Sequence, residues 1–266
     1  MYEQDISLED IVFTNSSQNC ALQDDEQQTG SPPNKVVWVI IDGLRLDFLQ
    51  PQPQPTSSAH NRFVHVAELL HNSSSNALLY SFVADPPTVT AQRLKALTTG
   101  TLPTFLDVGS NMHSAAVAED NVLDQLVARY GTQQGGVVLG DDTWRSLYPT
   151  QFSKYLVHPS LDTRDLFSAD QKVFKDIGEE LRGVAWQLLV VHLLGVDHIG
   201  HTYHAHHPVM AAYLTRLDAF LHDIMVAMPN DAVLIVCSDH GMTDEGEHGG
   251  ASALETMAPL LLYSTS

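Results

Sequence analysis

The chain has 266 residues, 44% of them apolar, which is enough for one large domain with a substantial core. Thirteen Lys and Arg against 32 Asp and Glu give a formal charge of -19, which argues against a nucleic-acid backbone or a bare anionic membrane surface as the main partner. Two cysteines, Cys20 and Cys237, make no disulfide framework, no apolar run approaches the ~18 residues of a membrane-spanning helix, and Met1-Tyr2-Glu3-Gln4-Asp5 is no secretory signal.

Residues 1–34 are polar and acidic through Gln23-Asp24-Asp25-Glu26-Gln27-Gln28 and end in Gly30-Ser31-Pro32-Pro33. They are expected to form a linker, with one domain over residues 35–266. Asn15-Ser16-Ser17 and Asn72-Ser73-Ser74 fit the N-glycosylation pattern, which hints at a lumenal or extracellular setting although it often arises by chance. Val36-Val37-Trp38-Val39-Ile40-Ile41 is the continuous apolar run that a parallel strand buried on both faces requires, and it stops at Asp42-Gly43. Residues 46–54 read as a Pro- and Gln-rich loop, 62–70 as a helix and 78–83 as a strand.

In Asp85-Pro86-Pro87-Thr88-Val89-Thr90, prolines and hydroxyl residues precede good helix formers. That order marks a helix N-terminus, where free N–H groups favour a bound phosphate and where a Thr can also cap the helix. After Thr99-Gly100 a loop passes Asn111 and leads to an amphipathic helix over 115–130. A strand over 135–140 is tipped by Asp141-Asp142, followed by a polar stretch over 143–168 and a helix over 170–181. The buried strand 186–194 runs straight into Gly195-Val196-Asp197-His198-Ile199-Gly200-His201. A helix over 208–228 has Pro in its first turn. The β-branched run at 233–237 then stops at Ser238-Asp239-His240-Gly241, with Glu247-His248-Gly249-Gly250 close behind and a last short strand at 259–263. Strands alternating with helices predict an α/β fold, a doubly wound, mostly parallel sheet flanked by helices, with ligands outside the carboxyl ends of the strands.

Three strand tips thus deliver Asp42, Asp197, His201, Asp239, His240 and His248, with a Thr at a helix N-terminus among them. These oxygen and nitrogen donors suit two divalent ions. The Asp-x-x-x-His spacing puts Asp197 and His201 on one face of a helical turn, where they can share an ion with His248. Asp42, Asp239 and His240 would hold the other, with a threonine oxygen in its fourth position. A hydroxyl beside a divalent ion loses its proton readily, and paired ions can clamp both oxygens of an in-line phosphoryl transfer.

Over residues 36–250, the strand-Asp-Gly, Pro-Thr-x-Thr, Asp-x-x-x-His, Ser-Asp-His-Gly-Met and late His-Gly elements occur in an order that resembles the alkaline phosphatase superfamily. The segments Pro86-Pro87-Thr88-Val89-Thr90, Gly140-Asp141-Asp142-Thr143-Trp144 and Leu194-Gly195-Val196-Asp197-His198 are similar to the GPI ethanolamine phosphate transferases, above all to the type 3 branch acting on the third mannose. The resemblance implies an alkaline phosphatase-like fold, one zinc on Asp42, Thr90, Asp239 and His240, and a second on Asp197, His201 and His248, with other divalent ions such as Mn2+ able to substitute. It implies Thr90 rather than Thr88 as nucleophile, because Thr90 keeps the family's ten-residue interval to Gly100, and Asn111 as a phosphate-binding residue. It further implies a phosphatidylethanolamine donor, a GPI-mannose acceptor, a covalent phospho-threonine intermediate and residence in the endoplasmic reticulum lumen. Membrane segments that this sequence does not contain, and a small membrane-spanning stabilising subunit, belong to the same expectation. An alternative is a soluble nucleotide pyrophosphatase/phosphodiesterase-like hydrolase using the same two-metal site, and a further one an idle binding module.

Other polar residues near these motifs carry blander expectations. His198, His204, His206 and His207 read as a solvated loop and His192 as a core histidine. Asp141, Asp142 and Trp144 read as a substrate pocket or as a helix cap with a packed Trp, and Arg93 and Lys95 as phosphate contacts or exposed helix positions.

Overall fold

The computed structural model describes residues 35–72, 76–102, 116–159, 165–183 and 185–265. The linker assigned to residues 1–34 and the Asn111 assignment lie outside the described residues. In chain order the elements begin with β1 (Lys35–Ile41), α1 (Leu46–Leu49), α2 (Val64–His71), β2 (Ala77–Val83), α3 (Thr90–Thr99), α4 (Val122–Tyr130) and α5 (Thr132–Gly135). They continue with β3 (Gly136–Asp141), α6 (Thr143–Leu147), β4 (Lys154–His158), α7 (Ser168–Arg182), β5 (Leu188–Leu193) and α8 (Gly195–Tyr203). The chain closes with α9 (Pro208–Ala227), β6 (Ala232–Cys237), α10 (Ala253–Thr256) and β7 (Met257–Ser264).

The strands form one mixed sheet in the order β2-β7-β6-β1-β5-β3-β4. The five strands β6, β1, β5, β3 and β4 run parallel, and β7 pairs antiparallel with both β6 and β2. Alternate residues of β1 serve the two faces: Val37, Val39 and Ile41 pack with Val173, Ile177 and Leu181 of α7 and Leu214, Leu217 and Leu221 of α9. Ile40 packs on the other face with Leu94 of α3, Leu123 of α4 and Trp144 of α6. Both faces are therefore covered by helices, which is why the central strands read as unbroken apolar runs.

Several local expectations are corrected. The helix expected over 115–130 begins only at Val122, because the Asn121 side chain accepts from the backbone N–H groups of Leu123 and Asp124 and so sets the start. The stretch read as merely polar holds α6 and the edge strand β4, whose five residues give little hydrophobic signal, and the loop after Leu46 opens with one helical turn. Neither Thr88 nor Thr90 caps α3: Val89 occupies that place without a side-chain cap.

Candidate functional site

Because β1, β3, β5 and β6 are parallel, their carboxyl ends share one edge of the sheet, and that edge carries the acids. Asp42 follows β1, Asp141 ends β3, Asp197 sits in the first turn of α8 directly after β5, and Asp239 and His240 follow β6. His201 lies one helical turn beyond Asp197, with Nε2 3.4 Å from Asp197 Oδ1. His248 is brought in by the loop after β6, with Nε2 3.3 Å from Asp197 Oδ1 and 3.1 Å from His201 Nε2.

Among the described residues three donor groups result: the two that the sequence predicts, and a third of Asp42, Asp141 and His192 that shares Asp42 with the first. The donor atoms of Asp42, Asp239 and His240 lie within 4.8 Å of one another, as do those of Asp197, His201 and His248. The His240 and His248 rings stack at 4.1 Å, so the groups are adjacent. In the first group His240 Nδ1 donates to the Gly241 carbonyl at 2.9 Å, which leaves the Nε2 lone pair facing Asp42 Oδ1 at 3.4 Å and Asp239 Oδ2 at 3.3 Å. These three buried atoms find no hydrogen-bond partner, and neither does Asp197 Oδ1 in the second group. His248 Nδ1 similarly donates to the Thr88 carbonyl at 2.7 Å, aiming Nε2 into the second group. Buried lone pairs converging on one another are costly unless a cation lies between them, so the residues present fit a pair of divalent ions.

The acid-base behaviour of the ion-free site agrees with that. Burial, then the charges of Asp239 and Asp197, push Asp42 well above the usual carboxylate range. Burial also raises Asp239 to about 6 and lowers His240 to about 3. Burial opposes a charged His248, yet the close negative charge of Asp197, 3.3 Å away, outweighs it and brings the imidazole up to about 9. Without a cation, a proton on His248 supplies the missing positive charge.

The two threonines have separate tasks. Thr88 is fully buried; its Oγ1 donates to the Gly250 carbonyl at 3.0 Å and accepts from Gly249 N–H at 2.8 Å. Thr90 opens α3 with Oγ1 3.3 Å from Asp42 Oδ2, half-buried beside the first donor group. Of the two hydroxyls, that of Thr90 is the more accessible.

Several neighbours behave otherwise than the sequence suggested. Arg93 is buried and donates to the backbone carbonyls of Asp239, at 3.0 Å, and Asp85, at 3.1 Å, steadying the Asp239-His240 turn rather than facing solvent. Lys95 pairs with Glu119 at 2.7 Å. Of the histidines expected in a solvated loop, His198 is instead buried and His207 caps α9, whereas His204 and His206 are exposed as expected, bonding the Glu245 carbonyl and pairing with Asp244 at 2.8 Å. Trp144 is wholly buried and Asp141 Oδ1 accepts from Thr143 N–H at the start of α6, which matches the packed-Trp alternative. Arg45, invisible as a site residue in the sequence, bridges Asp47 at 2.8 Å and Asp244 at 2.6 Å, tying the loop after Asp42 to the loop that carries His248.

Residues 119–262 match the type I phosphodiesterase / nucleotide pyrophosphatase family. The mouse protein named GPI ethanolamine phosphate transferase 3, catalytic subunit, is 43% identical over 238 residues, 87% of this chain. The chain spans only 22% of that relative's length. Among solved structures, the C-terminal periplasmic domain of EcEptC from Escherichia coli, in complex with Zn, aligns with a TM-score of 0.60 at 18% identity, covering 88% of this chain and 74% of that one. A protein in the alkaline phosphatase superfamily from Vibrio parahaemolyticus aligns with a TM-score of 0.55 at 14% identity, covering 88% and 61%. The sheet and its flanking helices are an alkaline phosphatase-like fold.

Proposed function

The chain belongs to the type I phosphodiesterase / nucleotide pyrophosphatase family, and from that premise we propose that it is the catalytic portion of a GPI ethanolamine phosphate transferase. In this reading it moves phosphoethanolamine from phosphatidylethanolamine to a mannose of the GPI anchor precursor, the third mannose if the likeness to the type 3 relatives extends to acceptor choice. The observation that carries the reading is a half-buried threonine hydroxyl, Thr90 Oγ1, set on Asp42 beside two adjacent cation-binding groups.

Asp42, Asp239 and His240 would hold one divalent ion and Asp197, His201 and His248 the other, with Thr90 beside the first. Zinc is the ion named for the EcEptC neighbour, and Mn2+ is a substitute of similar charge. Bound there, the ions supply positive charge that lowers the proton affinity of a nearby hydroxyl and neutralises phosphoryl oxygens.

The residues' own part is a double displacement. Thr90 Oγ1, its hydrogen directed at Asp42 Oδ2, attacks phosphorus; the Oγ1–P bond forms, the bond from phosphorus to the glycerol oxygen breaks, and diacylglycerol leaves with the proton. The mannose hydroxyl then attacks the same phosphorus, the Oγ1–P bond breaks, and Thr90 recovers a proton. Thr88, bound to the Gly249-Gly250 segment, keeps His248 aimed at the second group throughout.

Among the described residues no helix is long and apolar enough to cross a membrane. By its likeness to the GPI ethanolamine phosphate transferase relatives, of whose length it spans 22%, the chain is placed by this reading in the lumen of the endoplasmic reticulum, where it would meet the membrane and any small membrane-spanning subunit through segments outside these 266 residues. The test is release of ethanolamine phosphate from phosphatidylethanolamine with and without a mannoside acceptor. Acceptor-dependent product on the mannoside supports transfer, and equal release of free ethanolamine phosphate in both cases identifies a hydrolase instead.

A further inference from the structure

His192 lies inside β5, in register with Ile40 of β1 and Gly140 of β3, and its side chain is wholly buried. Its backbone is pressed closely by β3: Gly140 has φ +110°, and a Cβ there would fall 1.8 Å from the His192 carbonyl oxygen. Trp144 Nε1, which can only donate, gives its hydrogen to His192 Nδ1 at 3.2 Å. Trp144 is itself fixed, edge-on to Trp38 at 6.2 Å and to Phe152 at 5.9 Å. With the Nδ1 lone pair engaged, the neutral ring carries its hydrogen on Nε2, and Nε2 faces Asp42 Oδ2 at 3.5 Å with no other partner. Asp141 Oδ2 stands 3.4 Å from the opposite nitrogen.

Asp42 thus has a different neighbour for each oxygen. Oδ2 receives the Thr90 hydroxyl and faces the His192 N–H, whereas Oδ1 faces His240 Nε2 in the cation-binding group. We propose that His192, its tautomer set by Trp144, is a positioning residue that holds Oδ2 and thereby keeps Oδ1 aimed at the ion; the inference rests on the ion-binding reading of Asp42. At 3.5 Å the contact is at the outer limit of a hydrogen bond. Donors behind a ligating carboxylate set metal affinity through ligand orientation, commonly by 10–100-fold.

The test is zinc titration by calorimetry of the ion-free full chain, comparing wild type with His192→Gln and His192→Phe and recording the thermal midpoint of each ion-free form. Gln keeps an N–H where His192 Nε2 stands, and Phe keeps the bulk without it. The expected result is that His192→Phe weakens one of the two zinc ions by about 10–100-fold while the other stays within about twofold, and that His192→Gln restores most of the loss. Unchanged affinities in His192→Phe would overturn the inference, as would equal weakening of both ions together with a lowered ion-free midpoint. A third zinc in the wild type that His192→Phe loses would also overturn it, by making His192 a ligand. Absence of any zinc from the wild type would overturn the proposed function together with this inference.

Discussion

Thr90 Oγ1 donates to Asp42 Oδ2 at 3.3 Å, and the hydroxyl of Thr88, two residues earlier, is turned away into the Gly249-Gly250 segment. Under the proposed mechanism the pair would separate chemistry, at Thr90, from scaffolding, at Thr88. Thr90→Ala is expected to fold with its thermal midpoint nearly unchanged while transfer falls by roughly three orders of magnitude or more. Thr88→Val leaves the Gly249 N–H without its acceptor and should cost about 1–3 kcal/mol of stability, read by denaturant unfolding, while covalent labelling of Thr90 persists.

Removal of the ions should expose the convergence of lone pairs at Asp42, Asp239 and His240. Chelation is expected to abolish transfer and lower the thermal midpoint, and both should return on adding zinc. Asp239→Ala and His201→Ala belong to different donor groups, so each should retain about one ion where the wild type binds about two, by elemental analysis of the folded chain. Two ions retained in either variant would contradict that assignment.

The loop carrying His248 is held against α8 by a glycine contact. Gly246 has φ +81°, and a Cβ there would lie 2.0 Å from the Gly200 carbonyl oxygen. Gly246→Ala must therefore displace backbone on both sides, costing about 2–4 kcal/mol. Calorimetry should show the ion at Asp197, His201 and His248 weakened more than its neighbour.

The pH dependence of the ion-free chain follows from His248. Its folded value of about 9 exceeds the ordinary 6.5, so between these values the folded chain keeps a proton that the unfolded chain has released. The resulting stability is complete below about pH 6.5 and is lost as pH rises through about 9, a slope worth about 1–3 kcal/mol. Urea unfolding from pH 6 to 10 should show that decline in the ion-free chain, and saturating zinc should remove it, because the ion takes the place of the proton.

Much of this was legible in the sequence because the parallel strands are buried on both faces. Their apolar runs mark β1, β5 and β6, and the polar residues that end them must lie at one sheet edge. The i,i+4 spacing of Asp197 and His201 likewise fixed their common face once α8 was assigned. What failed to show depends on contacts between distant segments. His192 is the core histidine that the sequence suggests, but only the fold shows that it faces Asp42, and Arg93 looks like a phosphate contact or an exposed cation until the fold sets it on the Asp239 carbonyl. Thr88 and Thr90 are chemically alike in sequence, and the loop at Gly249 and Gly250 distinguishes them in space. The late start of α4 was foretold by Asn121, a strong N-cap residue outweighed by the apolar periodicity before it. The short edge strand β4 has too few residues for a pattern.

A phosphoethanolamine group carried on Thr90 is tested most directly by mass spectrometry of the zinc-loaded chain quenched early in reaction with phosphatidylethanolamine. A phosphoethanolamine adduct is expected on the peptide containing Thr90, discharged when a mannoside acceptor is added and absent from Thr90→Ala. An adduct surviving in Thr90→Ala, or product formed by the wild type with no adduct at any time point, would contradict it.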